Sequence, residues 1–190
     1  MFVNGLVLLV LILAGCEHGN RASQRSRSDT TAKRTKGQEV VSFGETSVDL
    51  GWGENGPREA WSVSVGTGYG SPIVHQGNVI VADRIENSER LQAFRIGDGE
   101  RVWGLERPMD FVCEYEYSGG PYSTPVVAEG RLYWWGGQGV LSCQDPRDGR
   151  LVWSRDLHRE FGVDPVEFPA GASPLVHEGR LFLSLGGQTA

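Results

Sequence analysis

The chain is short of the side chains that carry most enzyme chemistry. Its three cysteines, Cys16, Cys113 and Cys143, lie far apart. No His/Cys cluster has metal-ligand spacing, which excludes a zinc-finger or zinc-hydrolase layout. No glycine-rich phosphate loop and no nucleophile elbow occurs, which excludes a P-loop nucleotidase and an α/β-hydrolase. The apolar stretch Leu6 to Ala14 is too short to span a bilayer. Outside the N-terminus no window keeps a helical period, so a helical domain is excluded. Positive charge is scarce: 18 Lys and Arg stand against 24 Asp and Glu, for a net charge of −6. Six of the basic residues, Arg21, Arg25, Arg27, Lys33, Arg34 and Lys36, are crowded between positions 17 and 45. The remainder is more acidic still, which argues against a nucleic-acid partner.

What the chain has in abundance is itself. Pro72-Ile-Val-His-Gln-Gly77-Asn-Val-Ile-Val returns as Pro125-Val-Val-Ala-Glu-Gly130-Arg-Leu-Tyr-Trp and as Pro174-Leu-Val-His-Glu-Gly179-Arg-Leu-Phe-Leu. A second block, Leu91 to Gly99 to Trp103, returns with the same spacings as Leu141 to Gly149 to Trp153. Short strands repeating at a period of about 50 residues mark a β-propeller. The β-branched runs around Gln76-Gly77, and the Asp98-Gly99 and Asp148-Gly149 pairs between apolar runs, read as hairpins. Pro72, Pro125 and Pro174 suit the first position of a strand, where no ladder hydrogen bond is lost. Each unit therefore reads as four antiparallel strands, in the second unit about 125–128, 131–135, 140–145 and 150–154. The turn between the second and third strands is expected to be longer in the first unit, Asp83 to Arg90, than in the second, Gly136 to Gly139.

These blocks resemble the pyrroloquinoline-quinone (PQQ)-like repeat, the W-motif blade of quinoprotein-like propellers. The residues that carry the likeness are Leu91-Gln-Ala93 with Gly99 and Trp103, and Leu141-Ser-Cys143-Gln-Asp145 with Gly149 and Trp153. Arg95 stands where the repeat prefers Asp, and Gln144 where it prefers Leu. Trp61 resembles the last strand of a preceding blade. The resemblance covers about residues 50–190 and implies an all-β partial propeller of four-stranded antiparallel blades, two complete and others partial. It implies that Trp61, Trp103 and Trp153 are packed between blades. It leaves function open, because this repeat serves enzymes and scaffolds alike.

Leu13-Ala14-Gly15-Cys16 resembles a bacterial lipobox, with Cys16 as the lipidated N-terminus left after cleavage. The expected organisation is a signal peptide over 1–15, a disordered basic tether over 16–47 and the repeat region over 48–190. The tether cannot bury enough surface to offset its ordering entropy. It serves as a solvated spacer or touches anionic headgroups. Glu17, in place of Asp, hints at the outer membrane. A propeller needs about four to eight blades, so the chain is expected to be a truncated product, or else to assemble with other chains.

Cys143 aligns with Ala93, a small packed position; a Cys113–Cys143 disulfide is the alternative for an exported protein. The connectors 104–122 and 154–172 are acidic and aromatic. Their Asp110, Glu114, Glu116, Asp164 and Glu167 are candidate face-loop residues, either solvated or able to ligate Ca²⁺. His75 and His177 share one strand slot, which Ala128 fills in the other copy, and read as structural or surface residues. Alcohol-oxidising quinoproteins carry adjacent disulfide-bonded cysteines, and this chain has no such pair. The expectation is a lipid-anchored, extracytoplasmic interaction scaffold on the periplasmic side of a bacterial envelope. It has no catalytic residues, no metal and no cofactor, and its partners are the membrane and other envelope proteins. In plan it is similar to propeller lipoproteins of the outer-membrane β-barrel assembly machinery. The alternatives are a quinoprotein alcohol or polyvinyl-alcohol dehydrogenase, with PQQ and Ca²⁺, and a ligand-sensing ectodomain.

Overall fold

The structure, a computed structural model, describes residues 6–11, 40–43, 46–49, 57–112, 119–163 and 170–185. Residues 9–61 form one compact unit, and residues 1–8 with 62–190 form another. In the first, strands β2 (Val40–Phe43) and β3 (Thr46–Asp49) pair antiparallel, Val40 opposite Asp49. Extended structure thus begins ahead of residue 48, because Val40, Val41 and Phe43 suit a pleated strand. Leu6–Leu11, within the expected leader, is strand β1. Cys16 and most of the expected tether lie outside the described residues. Strand β4 (Glu59–Val65) carries Trp61, which is buried.

The larger unit is built from the repeats. The first blade is an antiparallel sheet in chain order: β5 (Ile73–His75), β6 (Asn78–Ile85), β7 (Ser88–Arg95) and β8 (Arg101–Pro108). The second is β9 (Val126–Ala128), β10 (Arg131–Trp135), β11 (Val140–Gln144) and β12 (Leu151–Asp156). The third unit shows β13 (Leu175–His177) and β14 (Arg180–Phe182). A five-residue helix, α1 (Leu157–Phe161), follows β12. Asp156 caps its first turn by accepting from the Arg159 amide, and Gly162 ends it in the left-handed conformation at φ 62°. None of the helices among the described residues is long and apolar enough to cross a membrane.

The two complete blades share one register. Ala93 lies opposite Trp103, and Cys143 opposite Trp153, each followed by a bulge. Their last hairpins close alike: the Gly99 amide donates to the Arg95 carbonyl, and the Gly149 amide to the Asp145 carbonyl, at 2.8 and 2.9 Å. The two departures from the repeat preference are absorbed locally. Arg95, in place of Asp, pairs with Asp98 and Glu100, and Gln144 donates to the Ser142 hydroxyl. Asp145, at the preferred position, accepts from the Arg147 amide and guanidinium, and these bonds hold its carboxyl well below the usual range.

One expectation is corrected. The first blade's middle turn is the shorter one, only Glu86-Asn87, whereas 136–139 make a four-residue loop. The extra residues between Asp83 and Arg90 lengthen β6 and β7 instead, because Asp83↔Arg90 and Arg84↔Glu89 pair across the strands.

The blades stack face to face as in a propeller. Ile80, Ala82, Leu91, Ala93 and Trp103 of the first bury against Leu132 and Trp134 of the second. The equivalent face of the second blade repeats this at the end nearer the 136–139 loop, where Trp135 and Leu141 pack against Leu181 and Leu183. Trp103 donates its indole N–H to the Pro146 carbonyl at 3.2 Å. A Cβ on Gly149 would meet its ring at 2.6 Å, and φ there is +72°. Gly149→Ala therefore meets a left-handed penalty of about 1–2 kcal/mol together with an overpacking cost of about 1–3 kcal/mol. Gly130→Ala, at φ +71° with nothing within 4 Å, meets only the first. Urea melts of the two variants are expected to separate by the packing cost, with Gly149→Ala the less stable.

Candidate interaction face

The described ends of the connectors from each fourth strand to the next first strand lie at the same end of the blades as the Glu86-Asn87 turn and the 136–139 loop. Two buried carboxylates on the first blade organise it. Asp83, 1% exposed, accepts from both ends of the Arg90 guanidinium, from Gln92 Nε2 at 3.2 Å and from the Gly66 amide at 2.6 Å. Glu89, equally buried, accepts from Arg107 Nε and from the Gly137 amide at 3.0 Å. One carboxylate thus fastens the connector before the blade, and the other the loop of the blade after it. Each burial is compensated by a cation and a backbone donor, the condition under which buried charge is tolerated.

Arg107 lies 3.9 Å over the Trp134 ring. A side chain at Gly136 would collide with its Nη2, so glycine is required there for close approach. Burial pushes the Arg107 guanidinium down from its ordinary value, and Glu89 pulls it back; a guanidinium stays charged under either influence.

Arg84 stands opposite Glu89 in the ladder, but its guanidinium turns to backbone. Nη1 donates to the Phe111 and Gly119 carbonyls at 2.7 and 2.9 Å, Nη2 to Met109 at 3.3 Å, and Nε to Glu86 at 2.7 Å. One planar fork of donors therefore holds both described ends of the connector. Around it, Val112 is 77% exposed, Gln138 donates to Asp110, and Tyr69 meets Tyr122, its repeat equivalent, edge to face at 4.9 Å.

The inner ends of the blades are joined by a repeated hydroxyl rung. The Ser71 amide donates to Thr124 Oγ1 at 2.9 Å, and the Thr124 amide to Ser173 Oγ at 3.0 Å. All three residues precede the strand-opening prolines. The Gly179 amide also donates to Glu129 Oε1 at 2.9 Å.

Of the residues singled out from sequence, Asp110 lies on this face and is exposed. Glu114, Glu116, Asp164, Glu167 and Cys113 lie outside the described residues. Trp103 is buried, whereas Trp153 is 38% exposed. Pro125 and Pro174 are buried and Pro72 is exposed. Cys143 is a free, buried thiol, so the disulfide weighed for it is not formed; burial raises its pKa. His75 is half-buried, and His177 is exposed beside Glu178. Among the described residues no three His, Cys, Asp or Glu side chains converge on a metal-sized site. Asp83, Arg84, Glu89 and Arg107 were not singled out. Their signal was the alternation Asp83-Arg84 and Glu89-Arg90 on either side of a turn, which fixes charge pairs across a hairpin.

His158 on α1 lies edge-on to Trp135 at 5.7 Å and fills the space above Gly139. Desolvation lowers its pKa, and Asp156 opposes this weakly. With the folded value below the ordinary one of about 6.5, the unfolded chain binds the proton more tightly. Stability from this group is present above that pH and is lost as pH falls through the folded value. The wild-type urea midpoint is therefore expected to drop more between pH 7.5 and 5 than that of His158→Gln.

Residues 109–190, less than half of the chain, match the family model described as outer membrane protein assembly factor BamB. No curated protein matches the chain in sequence. Among solved structures, BamB from Moraxella catarrhalis is 15% identical at a TM-score of 0.50, over 78% of this chain and 37% of that one. A quinohemoprotein alcohol dehydrogenase from Comamonas testosteroni is 18% identical at a TM-score of 0.47, over 65% of this chain and 18% of that one. The chain thus spans well under half the length of either, and the likeness to BamB is one of fold.

Proposed function

We propose that this chain of PQQ-like propeller repeats, similar to those of BamB, is a lipid-anchored scaffold of the bacterial envelope that engages other envelope proteins through its connector face. The observation that carries the reading is the Arg84 clamp. A guanidinium spent on four backbone carbonyls, three of them at the described ends of the connector, fixes backbone rather than any chemistry, and backbone ordered in advance binds with less entropy to lose. The family match over 109–190 and the BamB fold support the same reading. Cys16 holds the chain on the periplasmic side of a membrane, with the outer membrane preferred, and the basic segment after it spaces the blades from the bilayer. The reading assigns no cofactor and no catalytic residue.

The anchor is tested by fractionation. Wild-type protein is expected in the membrane fraction with an acylated Cys16 by mass spectrometry, and Cys16→Ala in the soluble fraction. Unmodified Cys16 in a soluble wild-type protein contradicts the anchor.

A further inference from the structure

Helix α1 is held against the second blade by two neighbouring residues. The Leu157 amide donates to the Gly139 carbonyl at 2.9 Å, and its side chain is buried with Trp135 and Leu141. His158 lays its imidazole over Gly139, where a Cβ would meet the ring at 2.2 Å, and stands nearly perpendicular to Trp135. Among the described residues no hydrogen bond reaches either ring nitrogen, and the buried Trp135 indole N–H beside it has no partner. The charges around the ring are committed elsewhere. Asp156, on its own element, accepts from the Arg159 amide, and Arg155 pairs with Glu160 on the exposed side. Asp110 reaches the 136–139 loop through Gln138, and Glu89 and Arg107 approach that loop from the first blade as a pair. The ring's immediate walls, Trp135 and Gly139, are uncharged and offer an imidazolium no acceptor. Further on, the Ala170 amide donates to the Gly137 carbonyl at 2.9 Å, a bond that involves no titratable side chain.

We propose that His158 is a proton-operated latch: when its imidazole takes up a proton, α1 leaves Trp135 and the 136–139 loop, while the Ala170 anchor and the blade strands stay in place. The neutral ring is docked because it fills the space over Gly139 and because undocking exposes Leu157, which is 6% exposed when seated. The charged ring loses solvent on docking and gains only the attraction of Asp156, which is already engaged. The undocked form therefore binds the proton more tightly, and release follows as pH falls through the docked value, which desolvation holds below the ordinary one of about 6.5. Proton uptake shifts the equilibrium by its preference for one of two arrangements. Phe161, at the end of α1, is 62% exposed, so release rearranges an apolar group at the connector end of the second blade. The latch rests on the contacts of α1 alone, whatever the connector face engages.

The test is hydrogen exchange of the full chain, read by mass spectrometry at pH 7.5 and 5 with labelling times scaled to equal intrinsic exchange. The Leu157, Arg159 and Val163 amides are bonded when α1 is formed and docked, so they report its release. Protection of 157–163 relative to β10 and β11 is expected to fall at least threefold at the lower pH. His158→Phe keeps a ring over Gly139 and cannot titrate; it is expected to hold its protection at both values. His158→Arg is charged at both and is expected to lack protection at both. Unchanged protection of β10 and β11 shows that each variant is folded, and the wild-type comparison stands without them. Equal protection of the wild-type segment at the two pH values, the same pH response in His158→Phe, or a loss spread evenly through β9 to β12 overturns the proposal.

Discussion

Trp103→Ala is expected to lower the free energy of unfolding by about 3–5 kcal/mol, the usual range for removing a buried tryptophan. The loss has three sources. The ring fills the gap between two blades and touches the Gly149 turn. Its removal strips cover from Ile80, Leu91 and Leu132, all fully buried. It also leaves the Pro146 carbonyl without its donor. Trp153→Ala removes the same residue type from the same repeat position, yet is expected to cost under about 1 kcal/mol, as for a partly solvated surface site. Urea denaturation followed by circular dichroism separates the two. Equal losses would mean that the indole stabilises its own blade rather than the junction between blades.

Glu89→Ala is expected to be as damaging, about 3–5 kcal/mol, the cost of removing one partner from a buried ion pair. It leaves the Arg107 guanidinium over Trp134 without a counter-charge and the Gly137 amide without an acceptor. Glu89→Gln keeps the shape and one acceptor oxygen, so a smaller loss is expected. Hydrogen exchange adds a reading specific to place: protection is lost first in the 136–139 loop, which Glu89 fastens. A Glu89→Ala chain with wild-type stability would show that the carboxylate is compensated by solvent and not by these two partners.

Much of this was legible in the sequence wherever two copies agree. The Asp-Gly turns, the Gln76-Gly77 class of hairpin and the Ala93/Cys143 and Trp103/Trp153 equivalences recur because each is set by local chemistry. Gly149 needs a positive φ, and a small residue is needed opposite a tryptophan. The organising side chains of the connector face were hidden because they lie where the copies differ. Asp83 and Arg90 fall on a stretch whose partner is Gly136 to Val140, so comparison between repeats reads it as a longer turn. The charges in fact continue the ladder, and Arg84 answers to carbonyls that have no sequence signature. The Ser71, Thr124 and Ser173 rung was half visible as a recurring hydroxyl before proline. Its meaning needs the spatial neighbour, which lies 49 to 53 residues away. The short helix after β12 was missed because Leu157 alone faces the core and five residues carry no period, although Asp156 and Gly162 bracket it with capping chemistry.

The claim that the connector face is a docking surface is tested most directly by site-specific photo-crosslinking in intact cells. A photoreactive residue at Val112, 77% exposed beside the Arg84 clamp, is compared with one at Asp148, exposed on the hairpin turns at the opposite end of the strands. The expected result is a discrete adduct with an envelope protein from position 112, lost when Arg84→Ala releases the connector, and none from position 148. Adducts of equal yield from both positions, or none from position 112 in cells that hold the folded protein, would contradict the scaffold reading.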